Sequence, residues 1–97
     1  MGLSIDRLPA VLAETGNTRS PHYDRVARGL FTKPIKLGRR AAGWPSHEVE
    51  ALVAASVAGL DEISIRALVE QLHASRPRLL AQQLEKLGLA DPTKPGV

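Results

Sequence analysis

The sequence predicts a mainly α-helical fold with one small β-hairpin, and three observations carry that prediction. Apolar residues recur at i, i+3 and i+4 along most of the 97 residues, as in Leu8, Val11 and Leu12 or Ile65, Leu68, Val69 and Leu72. Phe, Tyr and Trp occur once each within a composition that is 43% hydrophobic, so the core is built mostly from Leu, Val, Ala and Ile. Only the stretch from Phe31 to Trp44 reads as extended chain. The length supports one small domain.

The elements follow from period and punctuation. Leu8, Val11 and Leu12, with Pro9 near the start and Gly16 after Thr15, give a two-turn helix closed by glycine. Asn17 or Thr18 caps a second helix whose apolar side is Tyr23, Val26 and Ala27, and Gly29 ends it. Pro21 is tolerated there because first-turn N–H groups have no intrahelical acceptor. The hairpin then places Ile35, Leu37 and Trp44 toward the core and exposes a basic tip, Gly38-Arg39-Arg40. A third helix starts at Pro45-Ser46, with Ser46 as cap and Glu48 and Glu50 near its positive end. Val49, Leu52, Val53 and Val57 form its stripe, and Gly59 stops it. Asp61 or Ser64 caps a fourth helix through Leu72. Arg76-Pro77 interrupts the pattern, and Leu80, Leu84 and Leu87 continue on a last helix ending at Gly88. Residues 91–97 read as a loose, flexible tail. The expected division is a domain over residues 1–59, a helical extension over 60–90 and the tail.

Charge is unevenly distributed. Residues 1–43 hold eight Lys and Arg against three Asp and Glu, a net of +5, whereas the chain from Trp44 onward is at −2. This asymmetry points the first half toward a polyanion; a solvated basic face is the plainer alternative. The absence of cysteine removes disulfides, thiol nucleophiles and cysteine-ligated metals. With no long apolar run, a cytoplasmic protein without a membrane partner is expected. His22, His47 and His73 lie in separate segments without zinc-helix spacing. No Ser, His and Asp set forms a catalytic motif, and there is no glycine-rich phosphate loop. The reading is of a non-enzyme with neither cofactor nor metal.

Two short helices joined by a glycine-containing turn, with arginine at the start of the second and a basic hairpin soon after, form the outline of a winged helix-turn-helix followed by C-terminal helices. In that arrangement the second helix enters the major groove of double-stranded DNA and the hairpin, or wing, meets the backbone or minor groove. Arg19, Ser20, His22 and Arg25 are the candidates for base edges. Arg19 takes a guanine or holds a phosphate unless it is merely solvated or caps the helix, and His22 either meets a base or covers the helix surface. Arg28 contacts phosphate or complements the helix dipole, and Lys36, Arg39 and Arg40 cluster on the wing. Tyr23 and Trp44 read as packing residues.

The stretch from Ile5 to Val53 resembles the AlpA family of phage and mobile-element regulators. The resemblance rests on Arg7-Leu8-Pro9-Ala10-Val11-Leu12, Thr15-Gly16, Thr18-Arg19-Ser20, Tyr23, Ala27-Arg28-Gly29, Phe31, Lys33-Pro34-Ile35-Lys36-Leu37-Gly38-Arg39-Arg40, Gly43-Trp44 and Ser46-His47-Glu48-Val49-Glu50. The sequence departs from the family pattern at Pro21, where Ser or Thr is usual, at His22, where an aliphatic residue is usual, and at Asp24, where a basic residue is usual. The resemblance implies a DNA-binding domain like those of MerR proteins and excisionases. It implies either a transcriptional regulator of a prophage or integrated element, or an excisionase that bends DNA at attachment sites beside an integrase. An adaptor that has lost DNA binding is the reading from another class, allowed by Pro21 and Asp24. Because one module neutralises few phosphates, self-association on DNA is expected, with Leu68, Leu72, Leu80, Leu84 and Leu87 as its surface unless they complete the core instead.

Overall fold

A computed structural model describes residues 3–93 of the chain. Its elements are β1 (Ile5–Arg7), α1 (Leu8–Thr15), α2 (Arg19–Ala27), β2 (Ile35–Lys36), β3 (Ala42–Pro45), α3 (Ser46–Val57) and α4 (Glu62–Leu87). Helices carry most of the chain, and a three-stranded antiparallel sheet of order β1-β3-β2 supplies the wing, so the fold is a winged helix-turn-helix.

The turn between α1 and α2 depends on Gly16, which sits in the left-handed region at φ 76° and returns its N–H to Leu12 O. Thr18 occupies the cap position of α2 but makes no side-chain capping bond; Asn17 N donates to Thr15 Oγ1 instead.

β1 is an element the sequence pattern does not announce, because three residues are too few for a period of two to register. It pairs with β3 in the register Ile5–Pro45, Asp6–Trp44 and Arg7–Gly43. The approach is close: a Cβ at Gly43 would lie 2.5 Å from Ile5 Cγ2 and 3.0 Å from Asp6 O, so only glycine fits there. Ser46 is the first residue of α3 rather than its cap. Its hydroxyl donates to Asp6 Oδ1 and accepts from Ser4 Oγ, while its N–H donates to Ser4 O, which fastens β1 to the start of α3.

One core joins all the layers. Val11, Leu30, Phe31, Trp44, Val49, Leu52, Ala55, Ile65 and Val69 are buried together, with Leu8, Tyr23, Val26, Val53, Leu68 and Leu72 packed around them. Two members of that core, Ile65 and Val69, belong to α4, so the expected division at residue 59 does not separate two cores. Trp44 is fully buried and its indole N–H donates to Thr32 O at 2.8 Å, anchoring the wing. Ile35 is half-buried and Leu37 is largely exposed, so of the three side chains expected to face inward only Trp44 is enclosed.

Two expectations are corrected along α3 and α4. Val57 is 84% exposed, because each step of four residues overshoots the 3.6-residue turn and two such steps from Val49 carry it off the buried face, which Glu48 and Ala55 complete instead. Arg76-Pro77 does not divide the last helices: α4 runs unbroken for 26 residues, capped by Asp61 Oδ1 accepting from Ser64 N. Pro77 has no N–H for the carbonyl of His73, but Arg76 beside it is locked to groups outside the helix, and the run of helix formers on either side outweighs one missing bond. Beyond Pro77 the helix is less covered: Leu84 is half-buried, whereas Leu80 and Leu87 are exposed. Of the expected tail, Asp91–Thr93 forms a turn in which Asp91 Oδ1 accepts from the Thr93 backbone and hydroxyl; residues 94–97 lie outside the described residues.

Candidate nucleic-acid interface

The second helix of the helix-turn-helix presents Ser20, Asp24, Ala27 and Arg28 outward, at the spacings that align side chains on one helix face. Its inward side is set by His22, and here the sequence-based expectation is corrected. His22 is fully buried, with its ring edge-to-face against Trp44 at 4.7 Å, Phe31 at 4.8 Å and Tyr23 at 5.4 Å between centroids. It therefore cannot reach a base edge. Neither ring nitrogen has a hydrogen-bond partner among the described residues, and burial, with the nearby Arg25 charge adding, lowers the pKa of the imidazole below its usual 6.5 and so favours the neutral ring. Its position is the one at which an aliphatic residue is usual in the resembling family, which was the available signal that it belongs to the core.

Arg19 lies at the N-terminal end of α2, exposed, with its guanidinium 5.7 Å from the centroid of the Tyr23 ring. Arg25 is half-buried on the opposite flank, lining a groove of about 340 Å3 with Glu14, Asn17, Phe31 and Leu52. Arg28 is held within the protein: it pairs with Glu62 at 2.9 Å and more distantly with Asp24 at 3.7 Å, and its carbonyl accepts from Arg66 Nε.

The wing is short. Leu37 N donates to Ala41 O, and the turn between them carries Gly38, Arg39 and Arg40 into solvent, with Lys36 exposed on β2. Arg40 shares a cavity of about 280 Å3 with Arg19, Arg7, Leu8, Pro9, Tyr23 and Ala42. Thus Arg19 and Arg40 are brought together, whereas Arg25 and Arg28 are directed elsewhere. Arg7 was not among the expected site residues; it reaches this cavity only because β1 pairs with β3.

The stem of the wing is tied to α4. Arg76 donates to both oxygens of the fully buried Glu48, at 2.7 and 2.8 Å, and its Nη2 also donates to Lys33 O at 2.7 Å. Lys33 N donates to His73 Nε2 at 2.9 Å. That bond requires His73 neutral, and burial together with the Arg76 and Lys33 charges lowers its pKa, outweighing the opposing effect of Glu48. These contacts join residues about 30 to 40 positions apart, which no local pattern reports. Glu48, read from the sequence as a carboxylate complementing a helix dipole, is the buried end of this bidentate pair.

Among the described residues no group of His, Asp and Glu is placed to hold a metal ion, and no helix is long and apolar enough to cross a membrane. Comparison with curated proteins and with solved structures found no match. A family model, described as the prophage CP4-57 regulatory protein (AlpA), matches residues 5–56, just over half of the chain. The match begins at β1 and ends within α3, spanning the helix-turn-helix and wing and leaving α4 outside it. The chain belongs to the AlpA family of prophage regulatory proteins.

Proposed function

We propose that the protein is a sequence-specific DNA-binding regulator of a prophage or integrated mobile element, with α2 entering the major groove by its N-terminal end and the wing lying on the backbone or minor groove. The observation that carries this reading is the meeting of Arg19 and Arg40, from the recognition helix and the wing, at one cavity without a carboxylate partner among the described residues. Ser20, exposed on the first turn of α2, faces the approach to base edges, and Lys36 and Arg39 extend the basic wing. The family is one of phage regulators, which supports double-stranded DNA as partner.

Polarisation titration with fragments of the host genome at several salt concentrations tests the reading. Binding should weaken steeply with salt, and replacing Arg19, Arg39 and Arg40 together should reduce it on every fragment. Salt-independent binding, or binding indifferent to the triple replacement, overturns the proposal and leaves the adaptor reading.

A second reading, an excisionase acting with an integrase, uses the same interface in several adjacent copies. Exposed Leu80 and Leu87 on α4 favour association of copies on DNA. Tandem footprints at an attachment site with bending support it; a single promoter operator removes it.

A further inference from the structure

We propose that Arg7, Arg19 and Arg40 form a clamp for a single backbone phosphate of duplex DNA, seated where strand β1, the start of α2 and the wing converge. The proposal rests on the DNA-binding reading above and adds to it a site, its ligand chemistry and a residue, Arg7, that neither the helix-turn-helix nor the wing supplies.

Strand geometry separates the charges of β1. Neighbouring side chains on a strand point to opposite sides, so Asp6 and Arg7 part company. Asp6 accepts from Ser46 Oγ and lies near Glu14, whose carboxyl is raised by a hydrogen bond to Asp6, with desolvation and the charges of Asp6 and Glu50 adding. Arg7, on the other side, lines the cavity with Arg19 and Arg40. The acidic groups therefore gather away from the clamp, and none of them lines its cavity.

The three guanidinium groups have no ion pair or hydrogen-bond partner among the described residues, in contrast to Arg28, Arg66 and Arg76. Three such cations around one concavity repel one another unless an anion sits between them. A phosphate suits this set, because guanidinium donors fork onto its oxygens. The cavity of about 280 Å3 has room for a phosphate group with part of its sugar, since a water occupies about 30 Å3. Two further features favour an anion there. Thr18 leaves the first turn of α2 without a side-chain cap, so the backbone N–H groups of Arg19 and Ser20, Pro21 having none, stay uncapped at the positive end of a nine-residue helix. Tyr23 also lines the cavity, with the Arg19 guanidinium over its ring at 5.7 Å from the centroid, within reach of a cation–π contact.

A shared phosphate makes a prediction that three separate contacts do not. Each phosphate neutralised contributes about −0.9 to the slope of log K against log salt. On a duplex enriched by the wild-type protein from a random-sequence library, R7Q should weaken binding by up to about fivefold at 0.15 M salt, the size of one phosphate's counterion release. The triple variant R7Q/R19Q/R40Q should lower the slope by about one rather than about three. Replacing the contacted phosphate with an uncharged methylphosphonate should cost the wild type about fivefold and cost the triple variant, which no longer holds that phosphate, little more. R78Q, an exposed arginine of α4 outside the cluster, serves as control, and thermal melts verify that each variant is folded. If the wild type shows no salt-dependent binding, the DNA reading itself fails. If it binds while R7Q behaves as R78Q does, or the triple variant loses a slope of about three, the clamp fails and DNA binding stands.

Discussion

Arginine serves two purposes on two sides of this molecule. Along α4 and the end of α2, Arg28, Arg66 and Arg76 each meet a carboxylate and a backbone carbonyl lies within reach of Arg66 and Arg76. At the start of α2 and around the wing, Arg7, Arg19 and Arg40 line a common cavity with no carboxylate among the residues around it. The difference teaches that the net charge of +3 says little until each cation is assigned a neighbour. Paired arginines hold the scaffold, and unpaired ones leave a positive potential uncompensated at some cost to the folded state, the charge on which the proposed DNA contact draws.

The largest effect tests the paired side. Arg76→Ala leaves the fully buried Glu48 without its counter-charge and also releases Lys33 O, so unfolding free energy should fall by about 3–5 kcal/mol. Urea titration reads this directly, and a loss below about 1 kcal/mol, the range of an exposed pair, would mean that the bidentate bridge does not hold α4 to the wing.

The next concerns how the unpaired side is assembled. Gly43→Ala drives a methyl against Ile5 and the Asp6 carbonyl, so β1 must shift away from β3. We expect about 1–3 kcal/mol of destabilisation by chemical denaturation. NMR shift changes should centre on residues 5–7, and undisturbed resonances there would show that the close approach is not needed to bring Arg7 to the wing.

A smaller effect comes from the histidine on the buried side of α2. His22 and His73 both have pKa values lowered by the fold, so the unfolded chain takes up protons first as the pH falls. Their contribution to stability is complete above about 6.5 and is lost as the pH drops below that value toward their folded pKa values. His22→Leu removes two buried nitrogens that lack partners and should raise stability by about 1 kcal/mol at neutral pH. It should also flatten the acid-side slope of a pH series of urea melts, leaving the share due to His73. An unchanged slope would show that His22 does not titrate with folding.

The helix-turn-helix and wing were legible because their signals are local: Gly16 after Thr15, the basic Gly38-Arg39-Arg40 tip and the single Trp44 all mark structure within a few residues of themselves. Glu48 and Arg7 were not, for the same reason. Glu48 satisfies every rule for a first-turn carboxylate, and only the return of α4 reveals its partner 28 residues away. Arg7 belongs to a strand too short to leave a pattern, and its place beside Arg40 exists only through the register Arg7–Gly43. Pro77 misled because a local rule, that proline ends helices, was overruled by the contacts of Arg76. His22 stood between the two cases: helix spacing put it among the base-contacting candidates, while the aliphatic preference at its position already pointed inward.

The smallest effect is the most direct test of the division between paired and unpaired arginines, since it converts one kind into the other. Glu62→Ala removes the carboxylate that bridges Arg28 and Arg66, and both partners of the shorter pair are about half exposed, at 48% and 54%. Solvent screens such a pair, so unfolding free energy should fall by less than about 1 kcal/mol, part of it through the lost negative charge at the start of α4. Yet Arg28, just past the end of α2, would then retain as carboxylate partner among the described residues only the more distant Asp24. If arginines on this domain attract DNA to the extent that no carboxylate holds them, the variant should bind duplex more tightly at low salt with nearly the same urea midpoint. A large stability loss with unchanged affinity would instead assign Arg28 wholly to the scaffold.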